Sequence, residues 1–277
     1  MVTKSATRRG WSPVVVTFMA NMVLAVGFQI FRVLDGPPLP TTDYWQPAVV
    51  ALFCNAGMAF TFLAVSVGDV SIATPMFGLK AVLVTAGVAT ITGGDVAATV
   101  WVAAILATAG VLTVQWTGRG DSKRTLRTIG LAGAAASCYA GFDVTLQTYA
   151  MRHGAAAVVP AVYMFVGLFS IPMLFWFRRD GFGTRGEFVR LVIPSAILFT
   201  VQAMCIAGTL SIVGDAPSVN VVYALRGLWG VVLAVTLAKY VGGEEANLTK
   251  RQIGQRFVGA AMLTVAVVVI AVREITR

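Results

Sequence analysis

Runs of about 20 apolar residues recur along the whole chain, the length of helix that crosses the ~30 Å hydrocarbon core of a bilayer. VVVTFMANMVLAVGFQIF, starting at Val14, is one near the start, and FVGAAMLTVAVVVIAV, starting at Phe257, is one near the end. A soluble domain needs enough charge to cover its surface, and here 57% of the 277 residues are hydrophobic while only 12% are charged. With lipid as the solvent, every backbone group must be satisfied within its own segment, which favours helices. The fold class expected is therefore an all-α polytopic membrane protein. Nine spans can be read, at about 12–32, 46–66, 70–91, 97–116, 125–148, 156–177, 188–210, 216–239 and 255–272. Trp11, Trp45, Trp101, Trp116 and Trp176 fall at or near span ends, where an amphipathic ring suits the headgroup region.

The net charge of +9 belongs to topology. With the N-terminus in the cytoplasm, 15 of the 21 Lys and Arg residues fall on inside segments, including 117–124, 178–187 and 240–254. Four fall outside: Arg32, Arg152, Arg273 and Arg277. This bias predicts a multi-pass protein of the inner (cell) membrane with its N-terminus inside and its C-terminus outside. Nucleic acid is not an expected partner.

Signs of catalysis are missing. Cys54, Cys138 and Cys205 lie in apolar segments at no metal or redox spacing, and read as small buried side chains. The single histidine, His153, sits in a predicted loop and reads as solvated. No phosphate-binding glycine loop and no Ser/His/Asp order is present. The expectation is of no enzyme, no cofactor and no metal site.

The chain repeats itself. VGDVSIATPMFGLKAVLVTAGV from Val67 aligns with VGDAPSVNVVYALRGLWGVVLA from Val213 at an offset of 146 residues. VAAILAT from Val102 matches VGAAMLT from Val258 after a net insertion of 10. Two copies follow: residues 1–118 with four helices and residues 119–277 with five. The span 125–148 has no counterpart before Arg8, so the repeat predicts that one helix of the first copy is lost or lies upstream of a late start. An odd number of helices per unit inverts the second copy, giving a 4 + 5 inverted repeat. Many secondary transporters follow this plan, with the substrate site near the midplane between the repeats.

The offset also pairs Lys80 with Arg226, each near the centre of its span. A charge there costs about 2.5–3.5 kcal/mol on the insertion scale, so both should face protein or an aqueous cavity. Of the 12 acids only Asp143, in AGFDVTLQ, lies well inside a span. Two readings follow. In the structural one, Asp143 pairs with Arg226 and Lys80 is neutral, because buried lysine loses its proton more readily than arginine. In the functional one, Lys80 and Arg226 share a cavity, and an anionic substrate group completes a site that one acid cannot neutralise. Asn55, Gln202, Asn220 and Tyr223, in or beside the charged helices, join Lys80, Arg226 and Asp143 as candidate substrate-binding residues. Asn21, Gln29 and Gln147 read as interhelical hydrogen bonds, the commoner role, or as cavity walls, and Gly130, Gly133, Ala134, Gly259 and Ala260 as sites of tight helix packing. Pro160, Pro172, Pro194 and Pro217 are expected to kink or start helices.

The stretch GGEEANLTKRQIGQRFVGAAMLTVAVVVI, residues 242–270, places an acidic turn, Leu-Thr and Gln before a small-residue final helix. In this, and in its repeat over nearly the whole chain, the sequence resembles the drug/metabolite transporter superfamily, specifically its EamA-like members. The resemblance implies ten helices with both termini cytoplasmic; here the first helix is absent and the basic loops direct the C-terminus outward. It also implies transport of a small polar or anionic metabolite by alternating access. The expected partners are a small-molecule substrate and the lipid bilayer, with a homodimer left open. The rival reading is a non-transporting membrane partner or scaffold, or a truncated inactive form of such a transporter.

Overall fold

The computed structural model describes residues 13–35, 38–67, 76–93, 95–115, 122–177, 186, 188–226, 229 and 250–276. Every regular element among them is helical. Five segments are long and apolar enough to cross a membrane: Thr41–Val65, Thr125–His153, Ala155–Met173, Phe188–Val213 and Gly254–Ile275. Val14–Gly27, Phe77–Ile91 and Ala98–Val114 are shorter apolar helices. Large apolar side chains face outward along them, as a lipid solvent permits: Phe257 is 77% exposed and Ile212 76%. Most of the expected cytoplasmic loops 117–124, 178–187 and 240–254, and the second half of the expected span 216–239, lie outside the described residues.

The helices are α1 (Pro13–Gly27), α2 (Gln29–Asp35), α3 (Trp45–Val67), α4 (Lys80–Gly87), α5 (Ala98–Gln115), α6 (Ser122–His153), α7 (Ala155–Ser170), α8 (Ile193–Val213), α9 (Ala216–Ala224) and α10 (Lys250–Ile275). Single-turn 3₁₀ segments precede α4 at Phe77–Leu79 and follow α7 at Ile171–Met173. Five-residue π turns follow α4 at Val88–Thr92 and precede α8 at Phe188–Val192. The prolines explain several of these boundaries. Pro194 and Pro217 sit in the first turns of α8 and α9, where a missing N–H costs nothing. Pro172 lies in the 3₁₀ turn after α7, and Pro160 is carried inside α7.

The chain forms two compact units. The first comprises residues 1–56 and 145–214, and the second residues 57–144 and 215–277, so α3 and α6 each contribute to both. In the first unit α1 packs on α7 and α8, and α2 on α7. Phe28, at the turn between α1 and α2, is fully buried and stacks on Tyr163 of α7 with centroids 3.8 Å apart. Gln29 donates Nε2 to the Pro160 carbonyl at 3.0 Å, joining α2 to α7 as an interhelical bond. Gly167 admits α1 closely, since a Cβ there would stand 2.7 Å from that of Ala25.

In the second unit α5 lies along α10, and α9 touches α4, α5 and α10. The core is built from Ala103, Ala104, Ala107, Leu263 and Ala266, all with no exposed surface, around a glycine crossing. A Cβ on Gly259 would come within 2.5 Å of Val114 and 2.7 Å of the Gly110 carbonyl. Small residues let membrane helices approach for dispersion contact, since lipid supplies no hydrophobic force between them. Among the described residues, tight packing at Gly130 and Gly133 is not seen: a Cβ at either would meet none of their atoms within 4 Å. Cys205 likewise is exposed rather than buried, while Cys54 is buried.

Candidate functional site

Helix α9 is set by a turn that explains the repeated Val-Gly-Asp. Val213 ends α8; Gly214 closes it with φ 68°, and its amide reaches the Leu210 carbonyl at 3.2 Å. A side chain there would be strained and would meet Met151 Sδ at 2.7 Å, so the position requires glycine. The Gly214 carbonyl in turn accepts from Gln147 Nε2 at 2.6 Å. Asp215 then caps α9, accepting from the Ser218 amide at 3.1 Å and hydroxyl at 2.8 Å. Arg273 Nη1 reaches Asp215 Oδ2 at 3.1 Å, tying α10 to this cap. In the first copy α3 also ends on the matched valine, Val67, and the Gly-Asp that follows lies outside the described residues.

One turn into α9, Asn220 donates to Asp143 Oδ2 of α6 at 2.7 Å and to the Ala216 carbonyl at 3.0 Å. The same Asp143 oxygen accepts from Lys80 Nζ of α4 at 2.6 Å. Asp143 is 1% exposed and the Lys80 side chain 16%. An ionised carboxylate so deeply buried needs an opposite charge, and a second hydrogen bond adds to it. Asp143 thus pairs with Lys80 and not with Arg226, contrary to the structural reading of the sequence. The cause is helical register: the residue spacing alone does not disclose which face of α4 meets α6.

Arg226 lies on Tyr223, its Cζ 4.2 Å from the ring centroid, and donates Nη1 to the tyrosine hydroxyl. Lys80 Nζ is 5.6 Å from the centroid of that ring. The two cations at matched repeat positions therefore meet at one aromatic side chain. Each follows a tightened turn. The residue before it, Leu79 or Leu225, has φ −58°, ψ −21° in the first copy and φ −57°, ψ −21° in the second. Such a short 3₁₀ stretch between helical segments marks a place under local constraint.

The remaining candidates sit elsewhere. Asn55 of α3 belongs to a neutral cluster in the first unit, with Nδ2 on the Ala51 carbonyl and Oδ1 accepting from the Ser170 hydroxyl at 3.3 Å. Asn21 of α1 donates to Ser170 at 2.7 Å, the first of the two roles open to it in the sequence. Gln202 is exposed on α8. Ser170 escaped the sequence reading; the available signal was that it carries the only hydroxyl besides Tyr163 in α7. His153 is not a solvated loop residue: it ends α6, half-buried, with Nε2 2.9 Å from Gln46 Oε1. Among the described residues no group of three or more His, Cys, Asp or Glu could hold a metal ion.

In comparisons with solved structures, 28 chains match this one. One, described as a crystal structure of a protein, aligns over 95% of this chain and 90% of its own, with a TM-score of 0.70 and 17% identity. That likeness is one of fold. No protein-family profile matches the chain, and no curated protein does so.

Proposed function

We propose that the chain is a multi-pass transporter of the inner (cell) membrane, moving a small polar, anionic metabolite by alternating access. Its nine spans form an inverted repeat of four and five helices, with the N-terminus in the cytoplasm. The observation that carries this reading is the meeting of Lys80 and Arg226 at Tyr223 beside the buried acid Asp143. Intramembrane charges are costly, and their retention at matched positions of two copies favours a substrate or ion pathway. Further support comes from the packing of repeat-matched helices within one unit, α1 with α7 and α5 with α10. The resemblance to EamA-like transporters points the same way. An intramembrane enzyme would need a second acid or a histidine beside Asp143, and its described partners are instead Lys80 and Asn220.

Reconstitution into proteoliposomes tests the proposal. Uptake is expected for at least one member of a panel of amino acids, nucleosides and organic acids. Arg226→Leu should abolish it in protein that still inserts and folds, while Arg226→Lys should keep part of it. Absence of flux across the panel would favour a non-transporting partner or scaffold.

A further inference from the structure

Lys80 and Arg226 are matched in the repeat but only one has an acid beside it. Asp143 Oδ2 stands 2.6 Å from Lys80 Nζ and 2.7 Å from Asn220 Nδ2. That pair is electrically closed. No carboxylate of the described residues lies within ion-pair distance of Arg226, whose side chain is exposed. Its contact among those residues is Tyr223, as ring face and as hydroxyl. A ring quadrupole attracts a cation but does not neutralise it. The set Lys80, Asp143 and Arg226 therefore carries one positive charge.

We infer that this cluster selects ligands by charge: it takes a monoanion, with a carboxylate docked on Arg226 beside Tyr223 while the Lys80–Asp143 pair stays closed. The substrate assignment rests on the transport reading, but the binding does not require flux. One negative charge brings the cluster to zero. A second would be left without a counter-charge in the cluster, and a neutral ligand would leave the arginine without one. The guanidinium has five N–H groups in a planar fork, of which the tyrosine hydroxyl takes one, and the fork matches a carboxylate in two-point contact. In this arrangement Asp143 sets the charge count although it need not touch the ligand.

Calorimetric titration of the full chain in detergent, in chloride-free buffer at neutral pH, provides the test. Lactate and benzoate serve as monoanions and succinate as the dianion. Wild type should bind one of the monoanions at least about tenfold more tightly than succinate. Asp143→Asn raises the count by one and should narrow or reverse that preference. Lys80→Met/Asp143→Asn returns the count to one and should restore it, which separates charge from damage to the fold. Arg226→Gln should remove the response to all three anions. Wild type that prefers succinate or binds none of the three overturns the inference. So does an Asp143→Asn preference equal to wild type, or anion binding that survives Arg226→Gln. Monoanion binding in detergent without uptake into vesicles would instead leave the charge rule standing and remove the transport reading.

Discussion

The segments Phe77–Lys80 and Tyr223–Arg226 align in the sequence, and their backbones agree at the leucine before each cation. Leu79 and Leu225 agree in φ and ψ to within a degree. The side chains that follow diverge. Lys80 turns to a buried aspartate on α6, while Arg226 lies exposed on a tyrosine of its own segment. The difference lies in what the second copy supplies to the first: Asn220 holds Asp143, and Asp143 holds Lys80. Position 74, which the offset matches to Asn220, is a threonine. Two positions aligned in the sequence thus hold cations in different surroundings, one ion-paired to a buried acid and one against a tyrosine ring.

The largest test of that contrast removes each cation in turn. Lys80→Met leaves Asp143 charged, buried and unpaired, a loss expected at about 3–5 kcal/mol. Arg226→Met gives up an exposed cation–π contact and should cost less than about 1 kcal/mol. Chemical denaturation in detergent, followed by tryptophan fluorescence, would compare them. Adding Asp143→Asn to Lys80→Met should recover most of the first loss in a double-mutant cycle. Equal losses at the two positions would erase the distinction drawn here.

A smaller test exchanges the residues two before each cation. Gly78 is buried, and a Cβ on it would meet Val111 Cβ at 2.7 Å and Cγ1 at 2.8 Å. Neither atom is the far end of a flexible side chain, so Gly78→Ala should cost about 1–3 kcal/mol through overpacking. The matched residue Ala224 is half-buried and already has its Cβ accommodated. Ala224→Gly should cost only about 0.5–1 kcal/mol, from backbone entropy. Melting temperatures in a common detergent would rank the two, and the reverse order would mean that neighbours do not approach Gly78 more closely than Ala224.

Helix extents were legible where apolar runs have clear ends: the expected spans 46–66 and 97–116 appear as Trp45–Val67 and Ala98–Gln115. Polar residues do not stop a helix whose backbone bonds continue, so α6 runs to His153, five residues beyond the expected 148. Within the candidate site, sequence singled out Lys80, Asp143, Asn220, Tyr223 and Arg226, because charge and amide groups in apolar runs must find partners. It could not say which partners. A rotation of 100° per residue decides whether Asp143 faces α4 or the segment bearing Arg226, and apolar residues all round a membrane helix conceal that phase. The same blindness applies to Gly130 and Gly133, small enough to pack but meeting no close neighbour among the described residues. The tightened turns before Lys80 and Arg226 were hidden for a different reason: a 3₁₀ turn and an α turn accept the same residues, and only hydrogen-bond partners separate them.

Those partners supply the smallest test. In the first copy Thr108 of α5 is 7% exposed and donates Oγ1 to the Gly78 carbonyl at 3.0 Å, joining α5 to the tightened turn. Its repeat mate Thr264 of α10 is exposed and donates to Ala260, four residues back in its own helix, at 2.9 Å. Valine copies the shape of threonine and removes the donor. Thr108→Val leaves a buried carbonyl without that bond and should cost about 1 kcal/mol. Thr264→Val removes a bond to a carbonyl already engaged within the helix, and should stay within about 0.5 kcal/mol of wild type. Unfolding free energies of the two variants, measured against wild type in one detergent, would show the gap. A loss at Thr264 as large as that at Thr108 would mean that the second copy uses its threonine as the first does. The asymmetry around Lys80 and Arg226 would then stop at the charged side chains.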